Sequence, residues 1–220
     1  TLLGLLLGWY EASEGQVLID GEPLDEARRG RLRREIAWVD PAVQLWNRSL
    51  LENVRYGTDP GGRSAGELLE EADLGALLRR LPQGWKTPVG EGGGLLSGGE
   101  GQRARLARAL GRGGVRLALL DEPFRGLERA QRRRLLEQSR SSWRGTTLLC
   151  VTHDVTDTDL FDRVLVINDQ RLVEDGPPAE LLRRPEGLFA QLWEDDRRSR
   201  EQLRGGARWR RLRLDEGRVK

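Results

Sequence analysis

Residues 96–110 read Leu-Ser-Gly-Gly-Glu-Gly-Gln-Arg-Ala-Arg-Leu-Ala-Arg-Ala-Leu, and residues 117–122 read Leu-Ala-Leu-Leu-Asp-Glu. The first run carries a helical pattern over Gly98–Leu110, with Leu106, Ala107 and Leu110 on one face and arginine on the other. Ser97, Gly98 and Gly99 stand at its start, where unpaired backbone N–H groups and the positive helix end favour an anion. Glycine suits this place because a side chain would hold a phosphate away. The second run is an uninterrupted apolar stretch, as a strand buried on both faces should be. It delivers two carboxylates, Asp121 and Glu122, to its C-terminal end, the edge where open α/β sheets bind ligands. A first acid can hold Mg²⁺ through water, and a second can polarise a water that attacks phosphorus. Either run alone fits an ordinary capped helix or strand end. Their order, about twenty residues apart, points to phosphate chemistry.

Outward from these runs, strands alternate with helices. Gln16–Asp20, Ile36–Val39, Leu117–Leu120 and Thr146–Val151 read as strands, and Arg163–Ile167 with Arg171–Val173 as a hairpin around Asn168-Asp169-Gln170. Thr1–Gly8 reads as a helix largely buried through Leu2, Leu3, Leu5, Leu6 and Leu7. Arg28–Arg34 is a basic helix or loop, and Glu128–Ser139 a charged helix. Between Asn47 and Leu81 the apolar spacing is helical, through Leu50, Leu51, Val54, Leu68, Leu69, Ala72, Leu74, Leu77 and Leu78. Pro82–Gly94 is a glycine-rich loop. The alternation implies an α/β fold with a parallel sheet and an inserted α-helical subdomain. The boundaries read as 1–46 and 108–195 for the core, 47–107 for the helical insertion, and 196–220 for a basic tail bearing Trp209.

Composition narrows the class. The 220 residues hold 37% apolar and 33% charged side chains, and mean hydropathy is −0.59, as in a water-soluble globular chain. Lysines and arginines exceed acids by only two, so a pI near 9.1 is not a nucleic-acid signature. The tail reads as a solvated appendage, and no nucleic-acid partner is expected. A lone Cys150 excludes an internal disulfide framework and a multi-cysteine metal site. There is no methionine, and an apolar helix starts at the first residue, so the chain is expected to be a piece of a longer polypeptide.

The runs at 96–110 and 117–122 resemble the signature and Walker B segments of ATP-binding cassette (ABC) ATPases, whose fold is that of the P-loop NTPases. The usual signature is L-S-G-G-Q, so Glu100 stands where glutamine is common. The resemblance extends to about Trp193 and implies ATP and Mg²⁺. It assigns Ser97, Gly98 and Gly99 to the γ-phosphate of an ATP held mainly by an opposite protomer, with Thr1, Glu100 and Gln102 as further ATP contacts. It makes Asp121 the Mg²⁺ residue, through water, and Glu122 the catalytic base. His153, the only histidine, follows the strand Thr146–Val151 and matches the family's switch histidine, which contacts the γ-phosphate and the attacking water. Arg125–Glu128 matches the D-loop, represented by Leu127 and Glu128, the latter a longer acid than the usual aspartate. Thr87–Gly93, T-P-V-G-E-G-G, resembles the loop before the signature in exporter-type cassettes, which places Glu91 near a transmembrane partner.

Two departures accompany these matches. The phosphate-binding loop should precede Thr1, so the chain begins just after the lysine-serine pair and is not expected to hold ATP in cis, nor to be active alone. After Ile36–Val39 the family places a glutamine, and here the sequence is V-D-P-A-V-Q, with Pro41 at the expected place and Gln44 three residues later. Proline can neither ligate nor donate. Either Asp40 or Gln44 substitutes, or this copy hydrolyses slowly.

The resemblance implies the ATPase part of an ABC exporter, at the cytoplasmic face of a membrane. Its partners would be a second cassette, paired head to tail, and transmembrane domains upstream or on another chain. The cargo is not chosen by the sequence. The alternative is a degenerate regulatory cassette that lends only its signature in trans. A soluble cassette acting in translation or DNA repair is disfavoured by Thr87–Gly93.

Overall fold

The computed structural model describes residues 2–59, 61–205, 214–215 and 218–219. The chain divides into two compact units, Thr1–Thr152 and His153–Lys220.

The first unit is built on a three-stranded parallel sheet in the order β3 (Ile36–Val39), β4 (Leu117–Asp121), β5 (Thr147–Val151). Registers are Val39 beside Leu120 and Asp121 beside Val151. Leu117 to Leu120 are all buried, which explains why β4 carries no alternation of polar residues. Against the sheet pack α1 (Leu2–Leu6) and α2 (Glu26–Glu35), through a core of Leu3, Leu7, Leu24, Leu32, Ile36, Leu117 and Leu119. Leu2 is exposed and Leu5 and Leu6 are half-buried, so the first helix is amphipathic rather than buried all round. Between α1 and α2 lies a small antiparallel pair, β1 (Leu18–Ile19) and β2 (Glu22–Pro23), shorter than the strand expected over Gln16–Asp20.

The stretch after β3 is helical: α3 (Leu50–Arg55), α4 (Ala65–Glu71), α5 (Gly75–Arg80) and α6 (Gly98–Leu110). Three of these helices start with the same device. Ser49 with Glu52, Ser64 with Glu67 and Ser97 with Glu100 each form a reciprocal capping box, which satisfies two orphan N–H groups at once. Leu50, Val54, Leu68, Leu74 and Leu106 are essentially inaccessible, so the insertion has a core of its own. The glycine-rich segment before α6 contains two 3-10 turns, Gly84–Lys86 and Glu91–Gly93. After β4 comes α7 (Arg129–Ser142).

In the second unit, a 3-10 turn, Val155–Leu160, leads into the antiparallel pair β6 (Val164–Asn168) and β7 (Arg171–Gly176). Then follow α8 (Pro178–Leu181) and α9 (Leu188–Gly205). Val166, Leu181 and Phe189 form its core, with Val155, Leu188 and Trp193 against it. Helix α9 runs through residue 196, where the composition changes. A two-residue pair, β8 (Leu214–Asp215) with β9 (Arg218–Val219), is described beyond it. Thr1 and Trp209 lie outside the described residues. No helix among the described residues is long and apolar enough to cross a membrane.

Candidate functional site

Asp121 closes β4, and Asp40 follows β3 by one residue, so the parallel register sets the two acids side by side at the C-terminal edge of the sheet. Burial raises the Asp121 carboxyl above its ordinary value, and the negative charges of Asp40 and Glu122 push it further the same way. Glu122 has φ +43°, a left-handed conformation that a glutamate adopts only at a cost, and its N–H is held by the Val151 carbonyl at 3.0 Å. The chain therefore turns sharply off the strand at the second acid. Nε2 of Gln102, from the buried face of α6, reaches the Glu122 carbonyl at 3.5 Å and links that turn to the helix.

At the head of α6, Ser97 has the extended backbone of an N-cap, and its hydroxyl accepts the Glu100 N–H at 3.3 Å. The Glu100 carboxylate accepts the Ser97 N–H at 2.8 Å. Gly98 has open space where a Cβ would stand. Gly99 does not: a Cβ there would come within 2.6 Å of Cδ2 of Leu127. Leu127 ends the turn after β4, and exposed Glu128 begins α7 without capping it. The structure thus brings Gly99 and Leu127 into contact.

The segment after β3 is held from below by α6. Nε of Arg105 donates to the Val43 carbonyl at 2.6 Å, and Nη1 of Arg108 to the Gln44 carbonyl at 2.9 Å. Arg108 also donates to the Asn53 carbonyl and to its Oδ1, and its guanidinium lies 4.7 Å from the centre of the Trp46 ring. Burial pushes Arg108 down to about 10, which leaves it charged at neutral pH. These arginines depart from the expected pattern: Arg108 belongs to the buried face of α6, not to a solvated one. Its neighbours Ala107, Ala109 and Leu110 are the signal that marks it, an arginine set inside a run of core residues.

Gln44 itself turns its side-chain amide towards the Glu91 carboxylate, at 3.4 Å. Glu91 stands exposed on the turn Glu91–Gly93. Pro41 is exposed, and Asp40 accepts the Ala42 N–H at 2.6 Å across it. His153 is exposed, two residues past β5.

A family model described as ABC transporter matches residues 1–125. The chain belongs to the ABC transporter family. It is 34% identical over 196 residues to the ATP-dependent lipid A-core flippase of Cupriavidus metallidurans, which covers 87% of this chain and 33% of the flippase. Over 206 residues it is 32% identical to the ABC transporter ATM1 of Toxoplasma gondii, covering 92% of this chain and 18% of that protein. The solved structure of a bacterial Atm1-family ABC exporter with ATP bound superposes with a TM-score of 0.83 at 31% identity, over 89% of this chain and 34% of that one. The chain therefore spans about a third or less of the length of these relatives. Its sheet and helical insertion are those of an ABC ATP-binding domain of P-loop NTPase fold. ATP is the nucleotide that membership implies.

Sequence reasoning missed Arg80, whose Nη2 donates to both oxygens of Glu100, at 2.7 and 2.8 Å. Nothing in the local pattern of α5 announces it, because the contact spans 20 residues.

Proposed function

We propose that this chain is the ATP-binding and hydrolysing domain of an ABC exporter, working at the cytoplasmic face of a membrane with transmembrane domains and a second cassette. The observation that carries the reading is the joint placement of α6 and β4. A glycine-led helix start meets the D-loop through Gly99 and Leu127, and the next strand ends on Asp121 and Glu122. In this reading Gly98 and Gly99 offer backbone N–H groups, with Ser97 beside them, to the γ-phosphate of ATP bound across the dimer. Glu100 acts there through its capping bonds, with Thr1 and Gln102 nearby in the family's arrangement. Glu122 takes a proton from the attacking water. His153 contacts the γ-phosphate and orients that water. Leu127 and Glu128 line the contact between cassettes, and Glu91 meets the membrane partner.

The donor set fits Mg²⁺. Among the described residues no cluster of three or more His, Cys, Asp or Glu side chains forms a protein-only cage. Mg²⁺ takes one or two carboxylates and completes its shell with water and phosphate oxygens. Asp121, crowded by Asp40 and Glu122, is the acid a divalent cation would relieve. When bound, the ion would neutralise charge on the phosphate oxygens.

The test is Glu122→Gln in the transporter that carries this domain. ATP turnover is expected to vanish while ATP-dependent pairing of cassettes persists. Turnover at the wild-type rate would remove Glu122 from the base role. A second reading, a regulatory cassette that lends only Ser97–Glu100 in trans, is favoured by Pro41 and by the engagement of Gln44 with Glu91. Unchanged transport and turnover in Glu122→Gln, with loss of both in Gly98→Asp, would support it.

A further inference from the structure

The second unit contains a contact that the proposed chemistry does not use. Asp154 follows His153 and occupies the N-cap of the turn Val155–Leu160, with φ −87° and ψ 93°, yet its side chain makes no cap bond. Aspartate is favoured at an N-cap because its carboxylate takes an orphan N–H of the helix. Here Oδ1 of Asp154 accepts from Nη2 of Arg200 instead, at 3.1 Å. Arg200 lies 46 residues further on, in α9. One helical turn back, Asp196 accepts from Nε of the same arginine at 3.1 Å. Arg200 and Asp154 are only 24% and 22% exposed at their side chains, so solvent screens the pair incompletely. Apolar packing runs in parallel: Val155, next to Asp154, joins the cluster of Val166, Leu181 and Phe189, to which Leu188 and Trp193 of α9 also belong.

We infer that α9 is a positioning element for His153, acting through Arg200 and Asp154. The Asp154 carboxylate turns Oδ1 to Arg200 and not to the N–H groups of its own turn. The bridge holds the backbone on the C-terminal side of the histidine in the conformation seen. Without Arg200 this tether to α9 is lost, and the backbone at the residue before Asp154 shifts. Arg200 is thus a positioning residue. Its consequence for ATP turnover rests on the reading of His153 proposed above; the contact itself does not.

His153 is the only histidine in the chain, so its imidazole Hε1 gives a single carbon-proton NMR cross-peak that reports this geometry. Arg200→Ala and Asp154→Asn are expected to move that cross-peak from its wild-type position. Arg200→Lys, which keeps the charge, should leave it nearer the wild-type value. Arg197→Ala is the control for helix stability, because it breaks pairs with Glu194 and Glu201 on the same helix and none with Asp154. It should leave the cross-peak in place. A cross-peak unmoved by Arg200→Ala, or moved equally by Arg197→Ala, overturns the inference. His153→Ala reads the other question: turnover unchanged in that variant removes the histidine from the γ-phosphate role and leaves the Arg200 result standing.

Discussion

Arg80, the last residue of α5, clasps both carboxylate oxygens of Glu100 in the first turn of α6, at 2.7 and 2.8 Å. Glu100 stands where the family commonly has glutamine, so this chain adds a negative charge at the signature and matches it with a cation from the helical insertion. Burial alone would raise the Glu100 carboxyl. The two bonds from Ser97 and the Arg80 charge outweigh it and hold the group below its ordinary 4.5. A carboxyl depressed on folding stabilises the protein above its unfolded value and loses that contribution as pH falls through its folded value. Wild type should therefore exceed Glu100→Gln in stability near neutral pH, by up to about 1 kcal/mol because Arg80 is largely exposed. The gap should close as pH falls below 4.5. Urea unfolding of both proteins from pH 7 to pH 3 checks this, and a gap that widens in acid would refute it.

The two signature glycines are expected to respond differently to one methyl group. Gly98 faces open space, so Gly98→Ala should change stability by no more than a few tenths of a kcal/mol. If a phosphate seats against Gly98 across the dimer, the same variant should lose ATP-driven pairing. Gly99→Ala must push Leu127 aside, which disturbs the D-loop even without nucleotide. Thermal melts with light scattering, with and without ATP, separate these effects. Intact pairing in Gly98→Ala would move the phosphate elsewhere.

Arg108 makes a different kind of claim, about folding. Its guanidinium serves the carbonyls of Gln44 and Asn53 and the Asn53 side chain in a place nearly closed to water. Arg108→Met fills much of the volume but leaves those acceptors unpaired, and should cost about 3 kcal/mol. Arg108→Lys should recover only part of that, because an ammonium cannot match a planar fork. Denaturant titration of the three proteins measures it; a lysine variant as stable as wild type would mean that charge alone suffices there.

Strong periodicity made part of this structure legible in the sequence. Ile36–Val39 and Gly98–Leu110 have the bounds that their patterns give, and β4 follows its apolar run with Asp121 added. Each is fixed by a local rule, burial on both faces for the strands and an N-cap serine for the helix. The first helix was less legible, because five leucines in eight residues do not reveal which of them faces solvent. The family assignment was legible from Leu96 to Glu122. What the pattern could not carry was pairing between distant segments: Arg80 with Glu100, Arg108 with Gln44, Arg200 with Asp154. Such pairs depend on tertiary placement, and an arginine reads the same in sequence whether it is solvated or buried.

Asp40 and Gln44 are the candidates to stand in for the family's glutamine, and their side chains are engaged differently. Gln44 is committed at both ends, its backbone carbonyl to Arg108 and its side-chain amide to Glu91. Asp40 lies beside Asp121 at the sheet edge, and its carboxylate keeps acceptor capacity beyond the bond from the Ala42 N–H. Asp40→Asn is therefore expected to lower Mg²⁺-dependent turnover by about 10-fold or more, as losses around a metal ligand do. Gln44→Ala should leave the rate within about a factor of two, since it removes one exposed hydrogen bond. Pro41→Gln should raise turnover mainly in the Asp40→Asn background, where the position it would serve has lost its acid. Steady-state ATPase assays of the three single variants and the Asp40→Asn/Pro41→Gln double variant decide between the residues. A strong loss in Gln44→Ala with none in Asp40→Asn would reverse the assignment.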